Sequence, residues 1–244
     1  MNIVLLGDSL IDNYKSFPNK DLKTELTGMG HNVENLGIET CTLDTLIRGT
    51  APPVGRFYPY KTDNDGKCRP LDMMEKKTKI DCVVLSIGFN EIHKNYMFLL
   101  NGPESLLKNV FTDTFKSNFA SVIEKIKSKT DKIIFITPYC PYMGQESPYN
   151  ALLKYKEEMY SSINNIYCNI CRQHNIPVLD LSRTVNINNR DNYGNNEIEL
   201  SAAANSLVAK SIDAILTKYE GHHVYYAEDS DSLTIESYVW IFKV

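Results

Sequence analysis

Short apolar runs alternate with longer amphipathic segments along most of the chain. Five runs rich in Val, Ile or Leu and bounded by turn residues predict β-strands, at residues 3–6, 32–36, 82–87, 132–137 and 177–181. Apolar residues recur at helical spacing between them, at residues 115–126, 152–170 and 204–215. This alternation predicts right-handed crossovers and a three-layer α/β/α fold, in which helices cover both faces of a parallel five-stranded sheet.

Two segments depart from the alternation. Residues 49–69 combine proline, glycine and aromatic residues, which is typical of a long structured loop that could cover a pocket. Alternating β-type residues at 224–226 and 235–244, separated by the acidic turn 228–231, predict a C-terminal β-hairpin. Because no repeat or linker divides the chain, we expect a single domain over residues 1–244, with a β extension from about residue 222.

Composition narrows the classes of partner. The net charge of −4 provides no positive field for a phosphate backbone, so nucleic acid is not an expected partner. No stretch reaches the roughly 18 continuous apolar residues of a membrane span. The apolar start at residues 1–7 lacks a basic leader and predicts a first strand rather than a signal peptide, so we expect a cytoplasmic protein.

Six cysteines are scattered along the chain, and we expect reduced thiols. Cys168 and Cys171, with His174 nearby, allow a metal or redox interpretation. A structural zinc site needs a second pair of ligands, which the sequence lacks, and both cysteines also fit the apolar side of the helix predicted at 152–170. Core packing is therefore favoured, and no metal or cofactor is expected.

The sharpest chemical signal is Gly-Asp-Ser-Leu at residues 7–10, where the first strand ends. A serine at a strand-to-helix turn is exposed at the sheet edge, close to backbone N–H groups that can hold an oxyanion. The alternative is that Asp8 or Ser9 only caps a helix. The tetrapeptide resembles the motif of the GDSL/SGNH hydrolases, and this resemblance implies a flavodoxin-like sheet and an ester hydrolase with Ser9 as nucleophile.

Two further segments extend the resemblance. Residues 35–40, Asn-Leu-Gly-Ile-Glu-Thr, are similar to the family's second block, with Thr40 where a glycine usually donates its N–H to the oxyanion. Residues 88–91, Gly-Phe-Asn-Glu, are similar to the third block, and Glu91 replaces an aspartate. The resemblance implies an oxyanion hole formed by the N–H groups of Ser9 and Thr40 and the amide of Asn90. Asn90 could instead form an Asx turn.

The fourth block is altered. The family usually carries Asp-x-x-His there, whereas this chain has Asn196 at the acid position and Glu199 at the base position. Some branches carry an Ile-Glu-Pro-Ser version, which residues 198–201 resemble. A glutamate of ordinary pKa, about 4.3, accepts a serine proton less readily than imidazole, although burial near Glu39 or Glu91 would raise that pKa. Glu199 could alternatively cap the last helix or remain in an inactive site.

A histidine elsewhere in the sequence could replace the missing base, since triads depend on geometry rather than sequence order. His93 follows the third block closely, and His222 and His223 follow the last predicted helix. His31 and His174 precede strands and are expected to be structural.

These residues predict a serine-dependent ester hydrolase of low activity, acting on a small acyl ester or an acylated glycan. Asp8, Gly88, Glu91 and Tyr139 are expected to line the substrate site, with tyrosines forming an apolar or sugar-stacking wall or merely packing under loops. Because the usual acid and base are absent, the alternative is a non-catalytic relative, a pseudoenzyme that binds a ligand or a partner protein in the same crevice.

Overall fold

The structure is a computed structural model that describes residues 1–12, 20–52, 62–142, 156–186, 188–194, 198–217, 223–227 and 233–237. Its strands are β1 (Asn2–Gly7), β2 (Asn32–Asn35), β3 (Cys82–Ser86), β4 (Ile133–Ile136), β5 (Val178–Leu179), β6 (His223–Ala227) and β7 (Leu233–Ser237). Its α-helices are α1 (Leu22–Gly28), α2 (Leu43–Arg48), α3 (Pro70–Glu75), α4 (Phe89–Lys94), α5 (Pro103–Val110), α6 (Asp113–Lys127), α7 (Lys156–Gln173), α8 (Leu181–Thr184) and α9 (Ala202–Thr217). Short 3₁₀ helices span Tyr96–Asn101 and Arg190–Asn192.

The described strands form one sheet in the order β2-β1-β3-β4-β5-β6-β7. The first five are parallel, which confirms the predicted α/β architecture. The described strands of the C-terminal extension also pair, with β6 parallel to β5 and β7 antiparallel to β6. The extension therefore continues the sheet beyond β5. Its second strand covers residues 233–237, earlier than expected, and residues 238–244 lie outside the described part of the chain.

Side chains of the central strands alternate between two apolar cores. Val4, Leu6 and Leu85 face the core that α6 and α7 cover. Ile3 and Leu5 face the other core, which contains apolar residues of α1 and α9. Because both faces are covered, the strands read as continuous apolar runs rather than as an alternating pattern.

Capping side chains explain several element boundaries. Thr112 Oγ1 accepts the Phe115 N–H at 3.2 Å where α6 begins. Asp180 Oδ1 accepts the Ser182 N–H at 3.1 Å and starts α8, so β5 ends before residue 181, where the apolar run had predicted more strand. The short helices α2 to α5 have 6 to 8 residues each, which is too short for the apolar period to reveal them.

All six cysteines are free and buried. Cys168 and Cys171 lie on α7 within the core, which confirms the packing interpretation of this pair. His174 contacts Glu124 at 3.1 Å and His31 contacts Asp213 at 2.8 Å, in agreement with structural roles for both histidines. Among the helices that the structure describes, none is both long and apolar enough to cross a membrane.

Candidate active site

Ser9 lies at the carboxyl end of β1, in a turn that only glycine can introduce. Gly7 has φ of +143°, and a Cβ on it would lie 1.7 Å from the Ser86 carbonyl oxygen on β3. The next residues bend back, as the N–H groups of Ile11 and Asp12 both donate to the Asp8 carbonyl at 3.0 Å. The turn leaves the Ser9 side chain at the sheet edge where α/β folds bind ligands.

Asp8 is fully buried beneath this turn. Its carboxyl group accepts the N–H of Leu10 at 3.3 Å and the N–H of Phe89 at 3.2 Å. Burial raises its pKa to about 8, and the charge of Glu91 adds to the effect. Asp8 thus joins the β1 turn to the first residue of α4, and because it is fully buried it does not line the surface of the site as the sequence had predicted.

Ser9 and Asn90 converge on one atom, the backbone carbonyl oxygen of Glu39. The Ser9 hydroxyl donates to this oxygen at 2.8 Å, and Asn90 Nδ2 donates to it at 2.8 Å. The second hydrogen of the Asn90 amide goes to the Cys41 carbonyl, also at 2.8 Å. The shared acceptor places the Asn90 amide, a donor of the kind that an oxyanion hole requires, next to the Ser9 hydroxyl. A hydroxyl has a single hydrogen to donate. Because Ser9 donates it to a backbone carbonyl here, it does not donate a hydrogen bond to a base in this conformation.

Helix α4 holds the loop after β2 by further contacts. Glu91 Oε1 accepts the N–H of Leu43, the first residue of α2. Lys94 Nζ donates to the Thr40 carbonyl at 3.2 Å. Burial raises the pKa of Glu91 to about 7, and its Oε2 has no hydrogen-bond partner among the described residues. Three side chains of α4 therefore hold the loop that follows β2 in place against this helix, namely Asn90, Glu91 and Lys94.

Gly88 begins α4 in a conformation reserved for glycine. Its φ is +124°, and a Cβ at this position would lie 2.0 Å from the Tyr167 hydroxyl. The next residue, Phe89, stacks with two rings, and its centroid lies 4.9 Å from that of Tyr139 and 5.8 Å from that of His93. Tyr139 is 1% exposed, so its ring belongs to the core under the site and does not form an open wall.

A family model described as GDSL-like lipase/acylhydrolase matches residues 3–212. The chain belongs to the GDSL-like lipase/acylhydrolase family. No curated protein matches the chain as a relative. The match confirms the resemblance carried by residues 7–10.

Solved structures share the fold of this GDSL-family chain at low sequence identity. An acetyl xylan esterase from Geobacillus stearothermophilus, in a variant form, is 17% identical with a TM-score of 0.56, over 86% of this chain and 92% of its own. A lipolytic G-D-S-L family protein from Veillonella parvula is 14% identical with a TM-score of 0.58, over 89% and 99%. A carbohydrate acetylesterase family member from Sinorhizobium meliloti is 14% identical with a TM-score of 0.53, over 89% and 98%.

Two of the candidate bases of this GDSL-family chain, Glu199 and His93, have side chains in the described part of the chain. Glu199 precedes α9, and its carbonyl accepts the Gly194 N–H at 2.7 Å. Burial raises the pKa of Tyr139, and the charges of Asp8 and Glu199 raise it further. Half-buried His93 has its pKa lowered by burial and by Lys94. Asn196 and His222 lie outside the described residues, as does the side chain of His223.

Sequence reasoning missed several groups that shape the family site here. Three groups at the site were not among the predicted residues. The Glu39 carbonyl accepts from Ser9, Lys94 donates to the Thr40 carbonyl, and the Tyr167 hydroxyl packs against Gly88. The position of a backbone carbonyl cannot be read from residue identity, and Tyr167 lies on α7, far from the site in sequence although close to it in space. Among the described residues, no group of three potential metal ligands is present.

Proposed function

We propose that this protein hydrolyses carboxylic esters through an acyl intermediate on Ser9. The observation that carries the proposal is the convergence of the Ser9 hydroxyl and the Asn90 amide on one carbonyl oxygen at the carboxyl edge of the sheet. That oxygen marks where the carbonyl oxygen of a bound ester would become negatively charged. Family membership supports the same reaction class.

The reaction proceeds in two acyl transfers. Ser9 Oγ attacks the acyl carbon of the ester while its proton passes to a base, and the oxyanion is held by the N–H groups of Ser9 and Thr40 and by the Asn90 amide. The bond to the alkoxy oxygen then breaks, and this oxygen takes the proton and leaves as the alcohol. Water attacks the acyl-serine in the same way, which releases the carboxylic acid and restores the hydroxyl.

Two residues compete for the role of base. Glu199 occupies the family's base position in sequence, and its charge contributes to the raised pKa of Tyr139. His93 stacks on Phe89, whose N–H donates to Asp8 in the Ser9 turn. A glutamate base that needs help from hydroxide gives activity that increases toward high pH, whereas a His93 base gives a fast neutral rate that His93→Ala abolishes.

The proposed substrate is a small acyl ester, with acetylated glycans as the first class to test. Two of the solved neighbours are an acetyl xylan esterase and a carbohydrate acetylesterase family member, which motivates this choice.

Hydrolysis of p-nitrophenyl acetate and of acetylated xylo-oligosaccharides tests the proposal. We expect slow turnover that disappears in Ser9→Ala and falls by about 10²–10³ in kcat in Asn90→Ala. Ser206→Ala is the matched control, because Ser206 lies on α9 and donates to Glu25 at 2.8 Å. Equal rates in Ser9→Ala and Ser206→Ala would contradict the proposal.

A non-catalytic binding role is the second candidate. One observation favours this role. In this conformation the Ser9 hydroxyl and one hydrogen of the Asn90 amide both donate to the Glu39 carbonyl, so neither of these two hydrogens is directed at a substrate. This role predicts no turnover and no phosphonate adduct. It also predicts binding of an acetylated oligosaccharide that Ser9→Ala leaves unchanged.

A further inference from the structure

The turn that occupies the candidate site is a β-turn over residues 38–41. The Cys41 N–H donates to the Ile38 carbonyl at 2.8 Å, so Glu39 and Thr40 are the two central residues. The peptide bond between them carries the carbonyl that accepts from Ser9 and Asn90. An oxygen of the protein itself therefore lies where the proposed esterase reaction would place the carbonyl oxygen of the ester.

The central peptide of a β-turn has two orientations. In a type I turn the third residue has negative φ, and in a type II turn the central peptide is rotated by about half a turn and the third residue has positive φ. Thr40 is that third residue. Asn175 is the only non-glycine residue with positive φ in the described part of the chain, so φ of Thr40 is negative. Threonine is β-branched, and positive φ is a rare, strained conformation for such residues.

The peptides on either side of the central one are anchored. The Ile38 N–H donates to the Gly7 carbonyl at 2.9 Å, and the Glu39 N–H donates to Asp12 Oδ2 at 2.8 Å. Beyond the central peptide, the Thr40 carbonyl accepts from Lys94, and the Cys41 carbonyl accepts from Asn90. Rotation of the peptide between Glu39 and Thr40 can thus occur without disturbing the rest of the loop.

We propose that Thr40 is a positioning residue that keeps the Glu39 carbonyl turned toward Ser9 and Asn90, so that the site rests with its oxyanion position filled. Rotation of the central peptide has three consequences at once. It frees the Ser9 hydroxyl hydrogen for a base, frees one hydrogen of the Asn90 amide, and turns the Thr40 N–H toward the vacated position. The inference rests on the proposed esterase function and gives a structural reason for the slow turnover expected of it.

Substitutions at residue 40 separate backbone conformation from side-chain contact. Thr40→Gly permits positive φ without strain, whereas Thr40→Ala and Thr40→Val remove the hydroxyl but keep a Cβ. We expect Thr40→Gly to raise kcat for p-nitrophenyl acetate by about tenfold or more, with little change in KM. Thr40→Ala and Thr40→Val should not show this gain, because both keep the Cβ that disfavours positive φ, and Thr40→Asn should be intermediate, because asparagine tolerates positive φ better than other residues.

Two further measurements complete the test. The rate of Ser9 modification by a fluorophosphonate should follow the same order as kcat, and a crystal structure of Thr40→Gly should show the Glu39 carbonyl turned away from Ser9. Equal rates in Thr40→Gly and Thr40→Ala, whether raised or unchanged, would overturn the inference while leaving the esterase in place. If Ser9 reacts in neither the wild type nor any variant, the proposed function fails and the inference fails with it. Thermal unfolding of each variant confirms that the fold is retained.

Discussion

The buried carboxyl group of Glu91 should make the protein less stable as the pH rises toward neutrality. Its pKa is raised from the ordinary 4.5 to about 7, chiefly because burial disfavours the charged form. The folded protein therefore binds the Glu91 proton more tightly than the unfolded chain does. This contribution to stability is complete below pH 4.5 and is lost as the pH rises through 7.

The magnitude follows from the two pKa values. A pKa raised from 4.5 to about 7 corresponds to about 3 kcal/mol of stability that the wild type loses across this pH range. Glu91→Gln retains an oxygen to accept the Leu43 N–H and stays neutral at every pH. The stability of the variant should therefore not show this fall with pH. If the new amide group changes the free energy of unfolding, that change is the same at every pH and cancels when two pH values are compared.

Urea unfolding at pH 5 and pH 8 provides the assay. The free energy of unfolding of the wild type should fall relative to Glu91→Gln by about 2.5 kcal/mol between these pH values, since pH 5 already lies above the unfolded pKa. Glu158→Gln removes the same charge from an exposed position on α7 and should parallel the wild type. If the wild type and Glu91→Gln differ by the same amount at both pH values, Glu91 is not a buried, proton-binding group in the folded state.

Two other substitutions test the packing and the chemistry of the site. Gly88→Ala should destabilise the protein by about 3 kcal/mol or more in chemical unfolding, because its Cβ would meet a buried tyrosine hydroxyl at 2.0 Å and φ is +124°. Gly28→Ala is the control. A Cβ at Gly28 has nothing within 4 Å, so this variant should be nearly neutral. Replacing Glu199 by His together with Asn196→Asp should raise kcat for p-nitrophenyl acetate by about 10²-fold through a positioned general base, and an unchanged rate would place the base elsewhere.

The sequence predicted the layers of the fold well because the signals were local. Buried parallel strands give continuous apolar runs, and the long helices α6, α7 and α9 give apolar positions at helical spacing. The short helices gave no such period. The strand at residue 178 ended early because the Asp180 side chain caps α8, a competition that apolar pattern alone does not reveal.

The candidate site was predictable only in part. The motif at residues 7–10 and the third block placed Ser9 and Asn90, and the structure brings these side chains to one carbonyl oxygen. The orientation of the peptide between Glu39 and Thr40 could not be read from residue identities, since it depends on the turn and on anchors from β1 and α4. Likewise, Gly88 is explained by a tyrosine on a helix far away in sequence.

The most direct test of the account asks whether Ser9 is a nucleophile. The purified protein is incubated with a fluorophosphonate, digested and mapped by mass spectrometry, with Ser206→Ala and Ser9→Ala alongside. The account predicts a single adduct on the peptide that carries Ser9, slow to form, present in Ser206→Ala and absent in Ser9→Ala. Absence of any adduct after prolonged incubation at high pH, or an adduct that persists in Ser9→Ala, would contradict it.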